Sequence, residues 1–453
     1  MAKSFLKSEP PYSRLKRITR PAIEEGRGFY VSKVPFGWAL YVADPVVAKQ
    51  ILLKSETLGK NSPLFKYFGF DNVVLSNGEQ WKDQRRIMNP VFHRAMPIKT
   101  MARVIPSLFS VIEDADGRIP ISLRMKDFTL DVLGLAIFDF DFKALKGDPE
   151  NWTSTYTQLT EALFDPIINV FASMENLLIY VVPKRRKAAK AVVRLNEKFD
   201  QLVSTKRQEL QNGRFSNKPD NEKDLLTLML EAELQGEALE TSEQLRHNIA
   251  VFFLAGHETT AHSLSFCLYQ IAKDKHIQQK LREEIISVLG DNHMDVEPTL
   301  EQLKQMKYLN MVIKENLRLN GPLDLLPSRK AAKDTYLKDI FVSADTEVVI
   351  DACAIHRDPK NWKNPDDFMP ERFGEGGGQE DHEGLTWVPF GNGSRQCLGM
   401  NFSLMEQRLV LTMLLRKYEI DVPKDSIHYD RIQYEKPLSI APNTLELTFT
   451  KRY

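Results

Sequence analysis

The sequence predicts a single, mainly α-helical domain with small β-sheets. Three observations support this fold class. Apolar residues recur with helical spacing over most of 45–272, one capped segment is long enough to cross a whole domain, and the strand-like runs are few and short. No internal repeat or long low-complexity stretch divides the 453 residues. We therefore expect one domain over 28–453, preceded by a separate N-terminal segment, 1–27.

Capping boxes and turn residues mark the individual elements. The box from Thr241 to Gln244 opens a helix that runs to about Lys273 and extends on the order of 45–50 Å at ~1.5 Å per residue. A second box, at 299–302, predicts a helix that reaches Leu319. The other predicted elements are a hairpin around Pro35–Gly37, a polar surface loop at 212–223, short strands at 340–342 and 347–350, an irregular connection to Phe390, and a last helix from about Gly399 to Lys417.

The composition is that of an ordinary globular protein. Hydrophobic residues make up 42% and charged residues 27% of the chain, and the net charge is +0, so no global charge favours nucleic acid as a partner. Three scattered cysteines suit a reducing compartment. No run of about 18 apolar residues predicts a membrane span. The basic first twenty residues lack the apolar core of a secretory signal, and they fit either a natural start or the remainder of a removed anchor.

One cysteine lies in a glycine-punctuated loop near the end of the chain. The run from Phe390 to Gly399 reads FGNGSRQCLG and leads into the last predicted helix. A thiolate at Cys397 would lie against backbone N–H groups and a helix N-terminus, which would keep it deprotonated and tune its donation to a metal. The alternative, a buried free cysteine in a turn, does not require this glycine pattern.

The long helix contains an acid next to an alcohol at its centre. Gly256 costs about 1 kcal/mol relative to alanine there, and close approach of a planar ligand would explain it. Thr259 can donate its hydroxyl to the carbonyl of Ala255, which would loosen the helix, and Glu258 with Thr259 supplies the components of a proton relay. The alternative is that Gly256 only permits helix packing and Glu258 faces solvent.

These two motifs, in this order, resemble the haem-ligand loop and the oxygen-activation stretch of the cytochrome P-450 family. The likeness is to its eukaryotic microsomal members, fungal enzymes among them, and covers nearly the whole chain. It implies that family's single-domain fold, with the long central helix over a buried haem b (iron protoporphyrin IX). It also implies Cys397 as the axial ligand and catalytic roles for Ala255, Gly256, Glu258 and Thr259. Two local departures are Gly321–Pro322 in place of Pro–Pro and Ser403 in place of the usual alanine.

Further motifs of the family are present in order. Glu315-x-x-Arg318 and the later Pro–Glu–Arg372–Phe segment imply a buried structural network that fixes the cysteine loop, although a lone Glu–Arg pair is a weak signal. The resemblance assigns the remaining cofactor-binding positions to the haem propionates and the loop; taken singly, the tryptophan could instead be a core residue and the arginines surface residues. They are Trp81, Arg85, Arg329, Phe390, Gly391, Arg395 and Gly399.

The resemblance implies a monooxygenase that inserts one oxygen atom from O₂ into a C–H bond. The thiolate of Cys397 would favour O–O cleavage, and Thr259 and Glu258 would deliver the protons that release the other oxygen as water. The alternatives are a peroxygenase or isomerase that works without a reductase, and a non-catalytic haem sensor. The intact pair Glu258–Thr259 argues against both.

Positions carried over from the family form an almost wholly apolar pocket, which predicts a steroid, terpenoid or fatty acid as substrate. Half of them could be plain core. They are Phe65, Phe68, Phe70, Phe164, Ile168, Phe171, Phe252, Phe253, Leu325, Leu326, Leu438 and Ile440.

The expected partners are a reductase and a membrane surface. The chain has no room for flavin domains, so electrons would come from a separate NADPH-cytochrome reductase or, alternatively, a ferredoxin; the basic residues Lys82 and Arg86 would suit an acidic donor. An apolar patch at 177–182 followed by the basic run 183–187 predicts contact with a lipid surface, or alternatively a buried helix end. We expect a monomer on the cytosolic face of the endoplasmic reticulum membrane.

Overall fold

Helices make up most of the structure, a computed structural model that describes residues 11–34, 37–53, 57–61, 72–94, 97–163, 180–219, 223–236, 241–379, 382–434 and 441–453. The predicted fold class, mainly α with small sheets, is confirmed. The helices are α1 (Pro11–Arg14), α2 (Arg20–Glu25), α3 (Pro45–Leu53), α4 (Gly78–Arg94), α5 (Ile98–Ala102), α6 (Ile105–Asp114), α7 (Ile121–Leu133), α8 (Trp152–Leu163), α9 (Pro183–Gln211), α10 (Leu225–Leu234), α11 (Ser242–Lys273), α12 (Lys275–Leu289), α13 (Leu300–Gln305), α14 (Lys307–Leu319), α15 (Ala352–His356) and α16 (Met400–Lys417).

The long central helix is α11, and its predicted bounds are confirmed. Thr241 accepts from the backbone N–H of Gln244, whose side chain accepts from the N–H of Thr241, so the capping box is complete. The helix contacts α7, α9, α14 and α16. Nearly all residues from Thr260 to Ala272 are buried, so helical packing surrounds this half of α11. None of the described helices combines the length and the hydropathy that crossing a membrane requires.

In the part of the chain that the structure describes, three small sheets complete the fold. The largest has the strand order β1-β2-β8-β5-β3, the second β4-β10-β9 and the third β6-β7. The predicted hairpin is β1–β2, in which Phe29 lies opposite Val42. Strand β2 also pairs in parallel with β8. The strands are β1 (Phe29–Val34), β2 (Gly37–Val42), β3 (Leu58–Lys60), β4 (Arg118–Pro120), β5 (Arg329–Ala331), β6 (Thr335–Leu337), β7 (Ile340–Val342), β8 (Glu347–Ile350), β9 (Tyr418–Asp421) and β10 (Glu446–Lys451).

The prediction of one helix from the second capping box to Leu319 is wrong. The box at Thr299 caps only the short helix α13, and the chain leaves the helical conformation at Met306, where ψ is 81°, before α14 begins. The carboxylate of Glu284, on α12, accepts from the backbone N–H groups of Tyr308 and Leu309 at 2.7 and 2.9 Å. This carboxylate satisfies the free N–H groups at the start of α14, so a contact from another helix stabilises the break.

Two large apolar clusters hold most of the buried apolar residues that the structure describes. The larger joins α11 to the surrounding helices and to the three-stranded sheet. The smaller lies between α3 and the five-stranded sheet and includes Ile51, Val348 and Val388. The loop that carries Cys397 leads into α16, and its turn at Gly393–Arg395 contacts α3. The loop is therefore held between the helical body and the sheet.

Candidate functional site

Hydrogen bonds and glycine conformations shape the cysteine loop. The N–H of Cys397 donates to the carbonyl of Phe390 at 3.0 Å and closes the loop. Gly391 and Gly393 have φ values of +64° and +71°, which other residues rarely adopt. A Cβ at Gly393 would lie 2.5 Å from the carbonyl oxygen of Leu52, whereas a Cβ at Gly399 would meet no described atom within 4 Å. The loop is therefore packed against α3 on one side and open at Gly399.

Opposing effects act on the thiol of Cys397, a residue that is exposed in the structure. Desolvation by the surrounding loop raises the pKa of this thiol, while the Gly399 N–H and the positive charge of Arg85 lower it. The N–H group at the helix N-terminus therefore acts in the expected direction, and in the protein alone it does not offset the desolvation. A bound metal cation would supply the missing stabilisation, because a coordinating thiol loses its proton.

Three arginines and a tryptophan expected to bind the cofactor meet beside this loop. Arg85, on α4, donates to the carbonyls of Ser394 and Gln396 at 3.0 and 2.8 Å. The guanidinium of Arg395 lies 3.8 Å from the ring centroid of Trp81 and donates to Asn77 at 3.0 Å. Arg329 starts β5 and donates to a strand β3 carbonyl at 3.3 Å. Elements distant in sequence thus bring these side chains together.

A fourth cation, Lys60, belongs to the same cluster and is absent from the sequence predictions. It ends β3, opposite Arg329. Burial and the charges of Arg329 and Arg395 lower its pKa to about 7, and burial first, then the neighbouring guanidiniums, lowers the pKa of Arg395 to about 9. A lysine after a short apolar run carries no motif; only the strand pairing places it here.

This cluster fits a group with two carboxylates. Within the part of the chain that the structure describes, no carboxylate pairs with Lys60, Arg85, Arg329 or Arg395. One N–H nitrogen of each arginine is buried without a hydrogen-bond partner, namely Nε of Arg85, Nη2 of Arg329 and Nη1 of Arg395. Buried donors of this kind are costly unless an acceptor reaches them. Together with the adjacent thiol and the open side at Gly399, the residues fit an iron-bearing planar group with two propionates.

The oxygen-activation stretch lies at the centre of α11. The Thr259 hydroxyl donates to the Ala255 carbonyl at 2.7 Å, the bond expected from the sequence. Ala255 is exposed although it lies in mid-helix, so α11 borders open space there. At Gly256 an added Cβ would lie 2.4 Å from Cδ1 of Leu133 on α7. An alanine at 256 would therefore force the Leu133 side chain to shift, so helix packing by itself can explain this glycine.

Glu258 points to a small polar cluster between α7, α8 and α11. Its carboxylate lies 3.3 Å from the ammonium of Lys126, and both side chains are about a quarter exposed, 24% and 28%. Burial, followed by the charge of Glu258, raises the pKa of Tyr156 well above its usual value. On the same helix His257 stays neutral, because burial lowers its pKa, and its Nδ1 lies 2.5 Å from the carbonyl of Phe253.

The Glu-x-x-Arg motif forms a fully buried network. Glu315 accepts from Nε and Nη2 of Arg318 at 2.7 and 2.8 Å, from Nε of Arg372 at 3.0 Å and from the backbone of Met369 at 2.8 Å. Arg318 also donates to the carbonyls of His356 and Pro365. The network thus ties α14 to the irregular connection that precedes the cysteine loop.

Only a few of the predicted pocket positions lie among the described residues. Phe252 is buried and packs edge to face on Phe92 of α4 at 5.5 Å, and Leu325 is 36% exposed. The prediction that Phe253 lines the pocket is wrong: its side chain has no exposed surface and packs among the rings of Phe142, Tyr156 and Phe199. Leu326 lies mostly within the smaller apolar cluster. The other pocket positions lie outside the described residues: Phe65, Phe68, Phe70, Phe164, Ile168, Phe171, Leu438 and Ile440.

Comparison with known proteins agrees with this site. Residues 31–449 match the family model described as Cytochrome P450. Human Cytochrome P450 3A5 is 28% identical over 447 residues, covering 93% of this chain and 85% of that protein. Cytochrome P450 4d2 of Drosophila melanogaster is 26% identical, covering 84% of this chain and 79% of that protein. Taurochenodeoxycholic 6 alpha-hydroxylase of Sus scrofa is 28% identical, covering 84% and 76%. The family binds haem through a cysteine thiolate, and this chain belongs to it: it is a cytochrome P450.

Proposed function

We propose that this chain is a haem-thiolate monooxygenase that inserts one oxygen atom of O₂ into a C–H bond of a lipophilic substrate. The observation that carries the proposal is the meeting of Cys397 with four cations that no described carboxylate neutralises. Family membership supports a monooxygenase; the substrate class, the electron donor and the residue roles are part of the proposal. The catalytic domain is 28–453, and 1–27 is a membrane-proximal segment, in which Leu15 packs against Ala43 and Cys353.

The residues of the chain would divide the work as follows. Cys397 would ligate the haem iron, and Lys60, Arg85, Arg329 and Arg395 would neutralise and orient the propionates. When bound, the haem supplies oxygen activation and C–H oxidation. Thr259 would hold a proton at its hydroxyl facing the open space beside Ala255. Its bond to the Ala255 carbonyl fixes this hydroxyl on α11.

Glu258 would bring protons to Thr259 from the outer side of α11. Its carboxylate is paired with Lys126 and partly exposed, so it can exchange protons with solvent. Rotation away from Lys126 would be required before it serves Thr259, since the ion pair lies towards α7. Proton delivery to Thr259 would therefore depend on opening the ion pair between Glu258 and Lys126.

A lipophilic substrate is favoured by the residues around the open face of α11. Ala255, Phe252 and Phe92 present no charge, and Leu325 adds a partly exposed apolar side chain. Sites of this kind bind by burial of apolar surface with few polar anchors. We propose a steroid, terpenoid or fatty acid as the substrate class.

We further propose that the enzyme works as a monomer at the endoplasmic reticulum membrane with a separate NADPH-cytochrome reductase. Tyr180 and Val181 are 73% and 63% exposed and directly precede the basic start of α9, as in segments that touch anionic lipid. The proposed docking cations are partly engaged, because Lys82 pairs with Glu79 and Arg86 with Asp83.

The test combines two spectroscopic measurements on the haem-loaded enzyme. The carbon monoxide complex of the reduced protein should show the red-shifted absorption of a thiolate ligand, and Cys397→Ser should lose it. Titration of the ferric protein with steroids, terpenoids and fatty acids should shift the main haem band to the blue for one class. Product formation with reductase and NADPH then separates a monooxygenase from a sensor, and peroxide without reductase identifies a peroxygenase. A wild-type protein without the thiolate-type band would refute the proposal.

A further inference from the structure

A chain of buried polar side chains joins three helices behind the oxygen-activation stretch. Ser403 and Gln407 come from α16, Thr260 and Ser263 from α11, and Asn316 from α14. Four of them are at least 98% buried, and Ser403 is partly buried. Buried hydroxyl and amide groups are costly unless they are hydrogen-bonded, so this chain must be satisfied internally.

The hydrogen bonds converge on the hydroxyl of Ser403. It accepts from Oγ1 of Thr260 at 2.9 Å and from Nε2 of Gln407 at 3.2 Å. The other end of Gln407 accepts from the hydroxyl of Ser263 at 2.9 Å, and Asn316 donates to the hydroxyl and carbonyl of Ser263 at 3.3 and 2.9 Å. The amide of Gln407 separates the hydroxyl group of Ser263 from that of Ser403. This hydrogen-bonded network can therefore hold the side chains in position, but it is unsuited to carrying protons.

Each end of this network adjoins a motif of the site. Thr260 follows Thr259, Asn316 follows Glu315, and Ser403 lies in the first turn of the helix that continues the cysteine loop. An alanine here would leave Thr260 and Gln407 as buried donors without this acceptor.

We propose that Ser403 is a positioning residue, whose hydroxyl keeps the oxygen-activation stretch of α11 in register with the helix that follows Cys397. The inference rests on the proposed function, because it concerns how Thr259 is presented to the haem. The network acts through Thr260: fixing this side chain fixes the rotation of α11 and, with it, the direction of the Thr259 hydroxyl.

The experiment uses four single variants and one double variant of the haem-loaded enzyme. Ser403→Ala removes the shared acceptor and Ser403→Thr restores a hydroxyl. Ser265→Ala is the matched control, because Ser265 is a buried serine of α11 whose hydroxyl donates to the carbonyl of Ala261, within its own helix, at 2.7 Å. Thr260→Val tests the same bond from its other end, alone and combined with Ser403→Ala.

Two quantities are measured besides the carbon monoxide spectrum: amide hydrogen exchange over 255–263, and the rate at which the dithionite-reduced enzyme reoxidises in air. We expect Ser403→Ala to accelerate both at least about fivefold, the effect of one lost buried hydrogen bond, with the thiolate-type band retained. Ser403→Thr should recover most of the loss, and Thr260→Val combined with Ser403→Ala should add little to either single change.

The inference is overturned if Ser403→Ala matches Ser265→Ala in exchange and reoxidation, or if the effects of Thr260→Val and Ser403→Ala are additive. Loss of the thiolate-type band in the wild-type enzyme would instead refute the proposed function. The two failures are thus distinguishable.

Discussion

At the scale of single residues, the site concentrates positive charge that no carboxylate of the described residues neutralises. Burial lowers the affinity of Lys60 and Arg395 for protons, and the positive charge of Arg329 lowers it further. The folded protein without haem is destabilised by such a cluster, while the complex with a dianionic group gains from it. Stability and cofactor retention should therefore respond in opposite directions to the loss of one cation.

Lys60→Met tests this reciprocity. The folded-state pKa of Lys60, about 7, is below its unfolded value of 10.5, so its penalty is absent above pH 10.5 and grows as pH falls towards 7. We expect the variant without haem to be more stable at pH 7 by about 1–3 kcal/mol, and the haem-loaded variant to lose haem faster to an acceptor protein. The matched control is Lys330→Met, since Lys330 is exposed and paired with Asp345. Lower stability without haem, or unchanged retention, would exclude Lys60 from the cluster.

At the scale of elements, helix α11 is placed by its contact with α7 as well as by the haem side. Leu133 is 3% exposed, so its side chain has little room to move away from Gly256. Close approach of a planar ligand would explain this glycine, and the packing of Leu133, which an alanine would force to shift, explains it as well. The two explanations can be separated by changing Leu133.

Gly256→Ala should be neutral or destabilising in the wild-type background, because overpacking costs about 1–3 kcal/mol and the gain in helix propensity is about 1 kcal/mol. In a Leu133→Ala background the clash is gone, and the same change should stabilise by about 1 kcal/mol. Urea unfolding of the four proteins measures this. Equal effects of Gly256→Ala in both backgrounds would show that Leu133 is not what requires the glycine.

The Glu315 network makes a second prediction about elements. Glu315→Gln would leave Arg318 and Arg372 buried with no carboxylate between them, so we expect a loss of about 3–5 kcal/mol in the free energy of unfolding and little haem incorporation. Glu113→Gln is the matched control: this carboxylate is 42% exposed, pairs with Lys451, and should change stability by less than about 1 kcal/mol. Similar stabilities of the two variants would contradict a structural role of the network.

At the scale of the whole molecule, buried titratable groups of opposite kinds balance one another. Burial lowers the pKa of His262 and His356 to about 3, whereas it raises the pKa of Asp127 to about 7 and that of Asp351 to about 6. As the pH falls below 6.5, the two histidines make folding less favourable and the carboxyl groups make it more favourable. The stability of the wild-type protein should therefore change little between pH 7.5 and 5.5.

Replacing one of the two histidines should reveal the stabilising effect of the buried carboxyl groups at low pH. His262 and His356 each accept a backbone N–H, from Ala441 and Val388 at 3.0 and 2.8 Å. A glutamine at either position can accept this bond without titrating. Each variant should therefore gain about 1.4 kcal/mol relative to wild type on going from pH 7.5 to 5.5, measured by urea unfolding. The same difference from wild type at both pH values would show that the histidine titrates normally.

Much of the fold and part of the site could be predicted from the sequence, and particular residues show why the rest could not. The capping box at Thr241 and the alternation around Pro35 report local conformation, which neighbouring residues determine. The break at Met306 depends on Glu284 of another helix, and the placement of Phe253 depends on which face of α11 meets α8 and α9. Such contacts leave no local periodic signal.

By itself, the sequence determined the family and the long capped helix, and it indicated the cysteine that we propose as the haem ligand, because these rest on short motifs with fixed spacing. The tertiary structure alone decided that Lys60 joins the arginines, that Glu258 pairs with Lys126, and that Ser403 receives hydrogen bonds from two helices. These residues come together through strand pairing and helix packing between distant segments. Their energies depend on burial and on neighbouring charges, which exist only once the chain has folded.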